Sequence, residues 1–183
     1  MGIGPGGERG EDFLDRLGHG TAVAAAIHEM APKAGLWIVR IFERELRATI
    51  GQLAAGLEWA LDQRADVINL SLGTTNPEHR QRLLPIVQRA VREGRRIVGA
   101  RSMGGVPCLP GTMEGVTAVE ADAATPRGEL RMEGGWLAAS PYPRPIPGVP
   151  VERNLRGISF AVANASGILG ARIIAAQAVR TER

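Results

Sequence analysis

The sequence predicts an α/β domain of three layers, in which a mostly parallel β-sheet is covered by helices on both faces. Residues 36–42 and 66–73 are apolar runs of strand length, and both are rich in residues that favour strands. Residues 49–64 and 77–93 carry apolar side chains at the i, i+3, i+4 and i+7 spacing of a helix with one buried face. Strands that alternate with helices in this way form parallel sheets with helices on both sides.

The other segments continue this pattern. Residues 22–30 and 159–179 predict two further helices, and residues 96–100 and 116–120 predict two further strands. Residues 121–155 are rich in proline and glycine, which predicts surface loops and short edge strands.

The N-terminal segment, residues 1–18, predicts irregular structure because five of its first ten residues are glycine. The sequence shows no linker and no internal repeat, and 183 residues are enough to bury one hydrophobic core. We therefore expect a single domain over residues 1–183.

Composition argues against several classes of partner. The net charge is only +3, from 22 Lys and Arg against 19 Asp and Glu, and aromatic residues make up 4% of the chain. The arginines between residues 89 and 96 therefore lack aromatic side chains for base stacking, and we interpret them as a solvated helix face. We predict no nucleic-acid partner. Cys108 is the only cysteine, which excludes an internal disulfide.

Neither a membrane span nor an export signal is evident. We find no apolar run close to the roughly 18 to 20 residues that a membrane span needs. The first ten residues lack the charged-then-apolar pattern of a secretory signal. These observations predict no membrane partner and a cytoplasmic location.

The three histidines predict no metal site. His19 and His28 lie nine residues apart and thus on opposite faces of one helix. A zinc-protease helix would need a second histidine at position 32, which is Pro32. His79 is expected to be an exposed residue in a first helical turn. Since no glycine-rich phosphate loop is present either, we predict no cofactor.

Ser159 follows a glycine and begins a small-residue helix. Unpaired backbone N–H groups at such a start favour negative charge, as a nucleophilic serine requires, but a helix-capping role is equally compatible with the position. His19 also stands at a helix start. Because ligands bind beyond the carboxyl ends of parallel strands, both residues are expected at that end of the sheet.

Three motifs resemble those of the subtilisin-like serine peptidases, in the family's order. Residues 18–24 of this chain, Gly-His-Gly-Thr-Ala-Val-Ala, resemble the family's histidine motif. Residues 67–73, Val-Ile-Asn-Leu-Ser-Leu-Gly, resemble the family's substrate-lining strand. Residues 157–161, Gly-Ile-Ser-Phe-Ala, resemble the family's nucleophile motif. The similarity extends over about residues 12–176 and implies the subtilisin-like fold.

The resemblance implies a role for each matching residue. Ser159 would attack a peptide carbonyl, and His19 would accept its proton and return it to the leaving amine. The backbone N–H of Ser159 would stabilise the oxyanion. Ser71, Leu72 and Gly73 would line the pocket for the side chain before the scissile bond. The expected partner is a peptide or protein substrate.

The first departure from the family concerns its aspartate motif, a strand ending in Asp well before the histidine motif. Only 18 residues precede His19, so the fold is expected to lack its first strand. Asp12 and Asp15 are candidates by composition. Asp15, four residues before His19, is the candidate we name for orienting the imidazole.

The second departure concerns the oxyanion hole. Family members place an Asn after the strand that corresponds to residues 96–100, whereas this chain has Ser102 at or near that position. Ser102 is therefore the candidate side-chain donor. Loss of such a donor typically costs on the order of 100- to 1000-fold in turnover.

Three explanations of these departures remain open. The chain is a fragment of a longer protein, or a partner chain or second copy supplies the missing strand and Asp, or the domain binds peptides without cutting them. The function predicted first is a serine endopeptidase. The alternative is a catalytically impaired domain that binds a peptide or a partner protein.

Overall fold

The computed structural model of the protein describes residues 1–181. The helices are α1 His19–Met30, α2 Ile50–Asp62, α3 Arg80–Arg92 and α4 Ile158–Thr181. The strands are β1 Gly2–Ile3, β2 Arg9–Gly10, β3 Val67–Leu70, β4 Arg96–Ala100, β5 Ser102–Met103, β6 Val106–Pro107, β7 Thr117–Ala121, β8 Arg131–Glu133 and β9 Trp136–Ala139. One-turn 3₁₀ helices occur at Pro77–His79 and Val151–Arg153.

The main sheet has five strands in the order β3-β4-β7-β9-β8. The first four are parallel neighbours, and β8 pairs antiparallel with β9. Ile68 lies opposite Ile97, and Val98 lies opposite Thr117. This arrangement confirms the predicted mostly parallel sheet.

Helices cover both faces of the sheet. Leu57 of α2 and Leu83 of α3 belong to one buried cluster together with Ile97 of β4. Val98 of β4 belongs to a second cluster, with Val162 of α4. Because Ile97 and Val98 are consecutive on one strand, their side chains point to opposite faces. The predicted three-layer α/β fold is therefore confirmed.

α1 packs directly on α4. Ala26 and Ala163 belong to a shared cluster of small and aromatic side chains. At Gly167 the two backbones approach closely, since a Cβ there would lie 2.7 Å from Met30 Cβ and 2.9 Å from the Ile27 carbonyl oxygen. This contact fixes the position of α1, and of the residue that begins it, relative to α4.

The predicted strand at residues 36–42 is wrong. The backbone pairing of this segment within residues 1–181 is an isolated parallel bridge between Arg40 and Gly2. Trp37 is 63% exposed and Ile38 is 49% exposed. An apolar run becomes a strand only beside another strand, and β3, the edge of the main sheet, does not pair with it. Within residues 1–181, the main sheet contains no strand that precedes β3 in the chain.

The N-terminal segment is more regular than predicted. β1 pairs antiparallel with β2, and Ile3 is fully buried. The side-chain amide of Gln52 donates to the carbonyl oxygens of Ile3 and Ile41, at 3.1 and 3.2 Å. These hydrogen bonds hold the glycine-rich segment against α2.

Residues 121–155 contain an interior strand as well as the predicted loops and edge strand. β9 lies between β7 and β8, so of the two strands in this segment β8 is at an edge of the sheet and β9 is interior. Leu137, Ala138 and Ala139 of β9 are buried. This short apolar run was not predicted as an interior strand, because the loops on either side of it are rich in proline and glycine.

α4 is long and apolar enough, by length and composition alone, to cross a membrane, which the count of consecutive apolar residues did not indicate. Its mean hydropathy is 1.5 over the most apolar stretch, and 56% of that stretch is buried within the protein. Packing between the sheet and α1 accounts for this composition.

Candidate active site

Ser159 lies in the first turn of α4 and contacts the residue that follows β3. Its Oγ donates a hydrogen bond to the Ser71 carbonyl oxygen at 3.2 Å. In return, Ser71 Oγ donates to the Ser159 carbonyl oxygen at 2.8 Å. Ser159 is thereby held at the carboxyl end of the parallel sheet.

A side-chain relay supports this pair. Asn69 Nδ2 donates to Ser71 Oγ at 3.0 Å, and Ser166 Oγ shares its one proton between Asn69 Oδ1 at 3.0 Å and the Val162 carbonyl oxygen at 2.8 Å. Since Ser166 and Ser159 are both on α4, the relay starts and ends on the same helix. It fixes the helix start relative to the end of β3.

His19 is the first residue of α1 and is half-buried between two aromatic rings. The ring centroids of Phe42 and Phe160 lie 6.0 and 6.1 Å from that of His19. Burial lowers the pKa of His19 below its usual value, and the charge of Asp15 offsets this only in part. The neutral imidazole, which accepts protons, is therefore favoured.

One cavity of about 430 Å³ brings the predicted residues together. It is lined by Ser159 and His19 as well as by Ser71, Leu72 and Gly73. The backbone N–H of Ser159 donates no hydrogen bond within the described part of the chain. The geometry thus places a hydroxyl, an imidazole and a free N–H beside the end of a parallel strand.

Asp15 has a different role from the one predicted. Its Oδ1 accepts from the backbone N–H groups of Leu17 and Gly18 at 3.1 and 2.9 Å. Its Oδ2 accepts from the N–H and the hydroxyl of Thr21, both at 2.7 Å. The carboxylate therefore caps the start of α1 and acts on His19 through its charge, without hydrogen-bonding the imidazole.

Ser102 does not contribute to the cavity. It lies on β5, and its Oγ donates to Glu120 Oε2 at 3.1 Å. The neighbours Ala100 and Met103 line the cavity instead. The prediction of a side-chain oxyanion donor at Ser102 is therefore corrected, since a carboxylate on β7 engages its hydroxyl.

The sequence interpretation missed four polar residues of the cavity, namely Arg47, Thr49, Thr74 and His79. His79 is partly buried, whereas an exposed position was expected. The position of Thr74, directly after the motif that ends at Gly73, was the available signal. Among residues 1–181, no group of three or more His, Cys, Asp or Glu side chains is placed to hold a metal ion.

Known proteins resemble this chain in sequence. The profile of the Subtilase family matches residues 6–118. The thermostable alkaline protease of Halalkalibacterium halodurans is 30% identical over 176 residues, which cover 85% of this chain and 47% of that protein. Subtilisin BL of Lederbergia lenta is 29% identical over 177 residues, which cover 90% of this chain and 63% of that protein. The chain thus spans about half to two thirds of the length of these relatives.

Solved structures share the fold. The prenylagaramide maturation protease PagA superposes with a TM-score of 0.71 at 24% identity, covering 90% of this chain and 67% of PagA. Sphericase superposes with a TM-score of 0.64 at 21% identity, covering 86% of this chain and 64% of sphericase. With the profile match over residues 6–118 and the recognised motifs, these similarities show that the chain belongs to the subtilase family.

Proposed function

We propose that this chain acts as a serine endopeptidase on an extended peptide, with Ser159 as nucleophile and His19 as general base. The observation that supports this proposal most directly is the shared cavity of about 430 Å³, which both residues line at the carboxyl end of the sheet. The peptide would lie along Ser71, Leu72 and Gly73 and pair with the chain as an added strand.

The proposed reaction follows from these positions. Ser159 Oγ attacks the peptide carbonyl carbon, and His19 accepts the hydroxyl proton. The backbone N–H of Ser159 donates to the oxyanion of the tetrahedral intermediate. Collapse of the intermediate breaks the C–N bond, and the leaving amine takes the proton from His19. A water molecule then hydrolyses the acyl-enzyme with the same base. Attack requires the Ser159 hydroxyl to rotate from Ser71 towards His19.

The competing function is peptide binding without cleavage. One observation favours it: no carboxylate within residues 1–181 hydrogen-bonds to His19, because Asp15 is engaged by backbone groups. An imidazole that is not held by a carboxylate costs roughly 10,000-fold in turnover. For this reason the proposed activity includes a carboxylate from outside the described residues, carried by a partner chain.

An open cavity beside the free edge of β3 supports a partner of this kind. A cavity of about 510 Å³ lies between the free edge of β3 and the segment 36–41. α1, α2 and α4 also contribute residues to its lining. A second cavity of about 440 Å³, lined in part by the same segment, extends to His19 and Ser71.

The residues that line the larger cavity favour an extended, apolar polypeptide segment as its occupant. Unpaired backbone groups along β3 would pair with an extended chain. The charged residues that line the larger cavity are Lys33, Arg64 and Asp66, and the last two precede β3. The remainder is mainly apolar. We therefore propose an extended apolar segment of a partner polypeptide that ends in a carboxylate beside His19.

A fluorophosphonate probe tests the endopeptidase proposal, because it labels only activated serines. The wild-type chain would be treated alone and with a peptide of two lysines, five β-branched apolar residues and a terminal Asp. Labelling at Ser159 that needs this peptide, and that is lost in Ser159→Ala, supports both the nucleophile and the partner strand. Labelling without the peptide supports the nucleophile and removes the need for the partner.

A matched peptide ending in Asn separates strand binding from chemistry, provided that both peptides are amidated at the C-terminus so that the Asp side chain is the only carboxylate that differs. It is expected to bind as well as the Asp peptide, measured by titration calorimetry, but to restore much less labelling. A second copy of the chain as the occupant would appear instead as a dimer in sedimentation that the peptide dissociates. If neither peptide permits labelling, the endopeptidase proposal fails, and the peptide-binding function is favoured.

A further inference from the structure

Thr74 stands at the end of the peptide-binding strand and is held rigidly. Its N–H donates to the Leu109 carbonyl oxygen at 2.9 Å, and its carbonyl accepts from the Leu109 N–H at 2.8 Å. A Cβ on the preceding Gly73 would lie 2.7 Å from the same Leu109 oxygen, so the backbones approach closely. Thr74 lines the cavity that contains Ser159.

The hydroxyl of Thr74 has both of its acceptor positions filled. Its Oγ1 accepts from the Asn76 backbone N–H at 3.1 Å and lies 2.9 Å from His79 Nδ1. Asn76 Oδ1 accepts from the Glu78 N–H, so Asn76 Nδ2 is the atom facing His79 Nε2, at 3.4 Å. Because an amide nitrogen only donates, Nε2 accepts, and Nδ1 carries the proton that is given to Thr74.

The Thr74 hydroxyl can still donate one hydrogen bond through its own proton. With the His79 proton assigned to Nδ1, the Thr74 O–H donates to no acceptor among the described residues, although a hydroxyl offers one donor beside its two lone pairs. The proton is thus available to a ligand in the cavity. A charged acceptor forms a hydrogen bond roughly twice as strong as a neutral acceptor does.

The charge of the cavity favours an anion over a cation. None of the described residues that line it is Asp or Glu, whereas the cationic Arg47 is a lining residue. Arg47 lies at the mouth with its side chain 88% exposed, and its Nε is 3.7 Å from Glu45, a separation too long for a hydrogen bond. Because this ion pair with Glu45 is exposed and therefore weak, the guanidinium can turn towards a ligand.

We propose that Thr74 selects peptides with an Asp or Glu side chain at the position that enters this cavity, the carboxylate accepting the Thr74 hydroxyl proton. His79 is a positioning residue, because it orients that hydroxyl through the bond from Nδ1. The inference rests on the proposed binding of an extended peptide beside Ser159. It adds the class of side chain that the site prefers.

Peptide binding to the Ser159→Ala chain tests this preference without turnover. Fluorescein-labelled octapeptides would carry one Glu at each position in turn, in an otherwise neutral sequence, with a Gln peptide matched to each. At one position the Glu peptide is expected to bind about 10-fold more tightly than its Gln partner, as measured by fluorescence anisotropy. Thr74→Val should remove this difference, and Thr74→Ser should retain it.

The adjacent threonine provides the matched control. Thr75 is exposed and does not line the cavity, so Thr75→Val should leave the Glu preference intact. Thr74→Ala serves as a second donor-free variant if Thr74→Val does not fold. The inference is overturned if no position prefers Glu, if no peptide binds, or if the preference survives in the donor-free variants. Probe labelling of Ser159 in the unsubstituted chain reports separately on the endopeptidase proposal.

Discussion

Ser159 and Ser71 are joined by a reciprocal pair of hydrogen bonds. Ser159 Oγ donates to the Ser71 carbonyl oxygen at 3.2 Å, and Ser71 Oγ donates to the Ser159 carbonyl oxygen at 2.8 Å. The candidate nucleophile is therefore attached to the strand end on which the peptide is proposed to lie. This connection fixes the offset between the attacking atom and the bound peptide, and such positioning is a large part of catalysis.

Ser71→Ala should loosen this connection. It removes the donor to the Ser159 carbonyl and the acceptor for Asn69, so we expect the free energy of unfolding to fall by about 1 kcal/mol and labelling of Ser159 to slow. Urea denaturation and the rate of fluorophosphonate labelling measure the two effects, under the condition in which the wild-type chain is labelled.

Ser102→Ala is the matched control for Ser71→Ala. Its hydroxyl contacts Glu120 and not the cavity, so labelling of Ser159 should continue at the wild-type rate. An equal slowing in both variants would contradict the geometry and restore Ser102 as an oxyanion donor.

Asp15→Ala should destabilise the start of α1. Replacement of a helix-capping carboxylate costs about 1 kcal/mol, and here the carboxylate accepts from Leu17, Gly18 and Thr21. Urea denaturation measures the loss. The same substitution at the neighbouring, exposed Glu11 should have little effect.

The stabilisation by Asp15 should depend on pH. Burial alone would raise the pKa of Asp15, but hydrogen bonds from Thr21, Leu17 and Gly18 outweigh it and hold the pKa below its usual value. The ionised group is therefore favoured in the folded state. Its stabilisation is complete above the unfolded pKa and is lost as the pH falls through the folded pKa. A difference between wild type and Asp15→Ala that persists below both values would contradict the capping role.

The helices were predictable because each carries local signals. The segment 49–64 was predicted from its apolar stripe, and α2 occupies Ile50–Asp62. Thr49 and Gln52 form the capping box at its start. This Thr-x-x-Gln spacing was readable in the sequence and would have set the first residue. Periodicity and caps are properties of one segment, so they need no tertiary information.

The predictions that failed concerned residues whose structure depends on neighbours that are distant in the sequence. The run 36–42 has strand-forming side chains, but it lacks a neighbouring strand along most of its length. Asp15 and Ser102 were predicted to act in the site because of their positions in the chain. In the structure, Asp15 accepts hydrogen bonds from backbone N–H groups, and Ser102 donates to Glu120. Competition for a side chain's hydrogen bonds is decided by three-dimensional neighbours. Spacing along the chain does not reveal them.

Any labelling of Ser159 in the chain without the added peptide should persist to a pH below the usual pKa of histidine, since no second carboxylate then raises the pKa of His19. Burial lowers the pKa of His19, and the charge of Asp15 raises it only in part. Since the neutral ring is the base, the labelling rate should fall only when the pH drops through this lowered value. Asp15→Asn removes the opposing charge and should shift the midpoint further down.

Proton NMR of the His19 ring gives an independent measure of this pKa. Its titration midpoint should match the midpoint of the labelling profile in wild type and in Asp15→Asn. A midpoint at or above the usual histidine value would contradict the burial of His19 between Phe42 and Phe160.

The contact at Gly167 should control the separation of His19 and Ser159, because these residues begin the two helices that meet there. In Gly167→Ala the new Cβ would lie 2.7 Å from Met30 Cβ, so α1 must shift. We expect a loss of about 1–3 kcal/mol from overpacking, together with slower labelling of Ser159. Gly170→Ala is the matched control, since its nearest atom is Ala31 Cβ at 3.9 Å. It should instead stabilise α4 by roughly 0.5–1 kcal/mol, as alanine does within a helix. Equal destabilisation by both substitutions in urea denaturation would assign the effect to helix propensity rather than to the α1 contact.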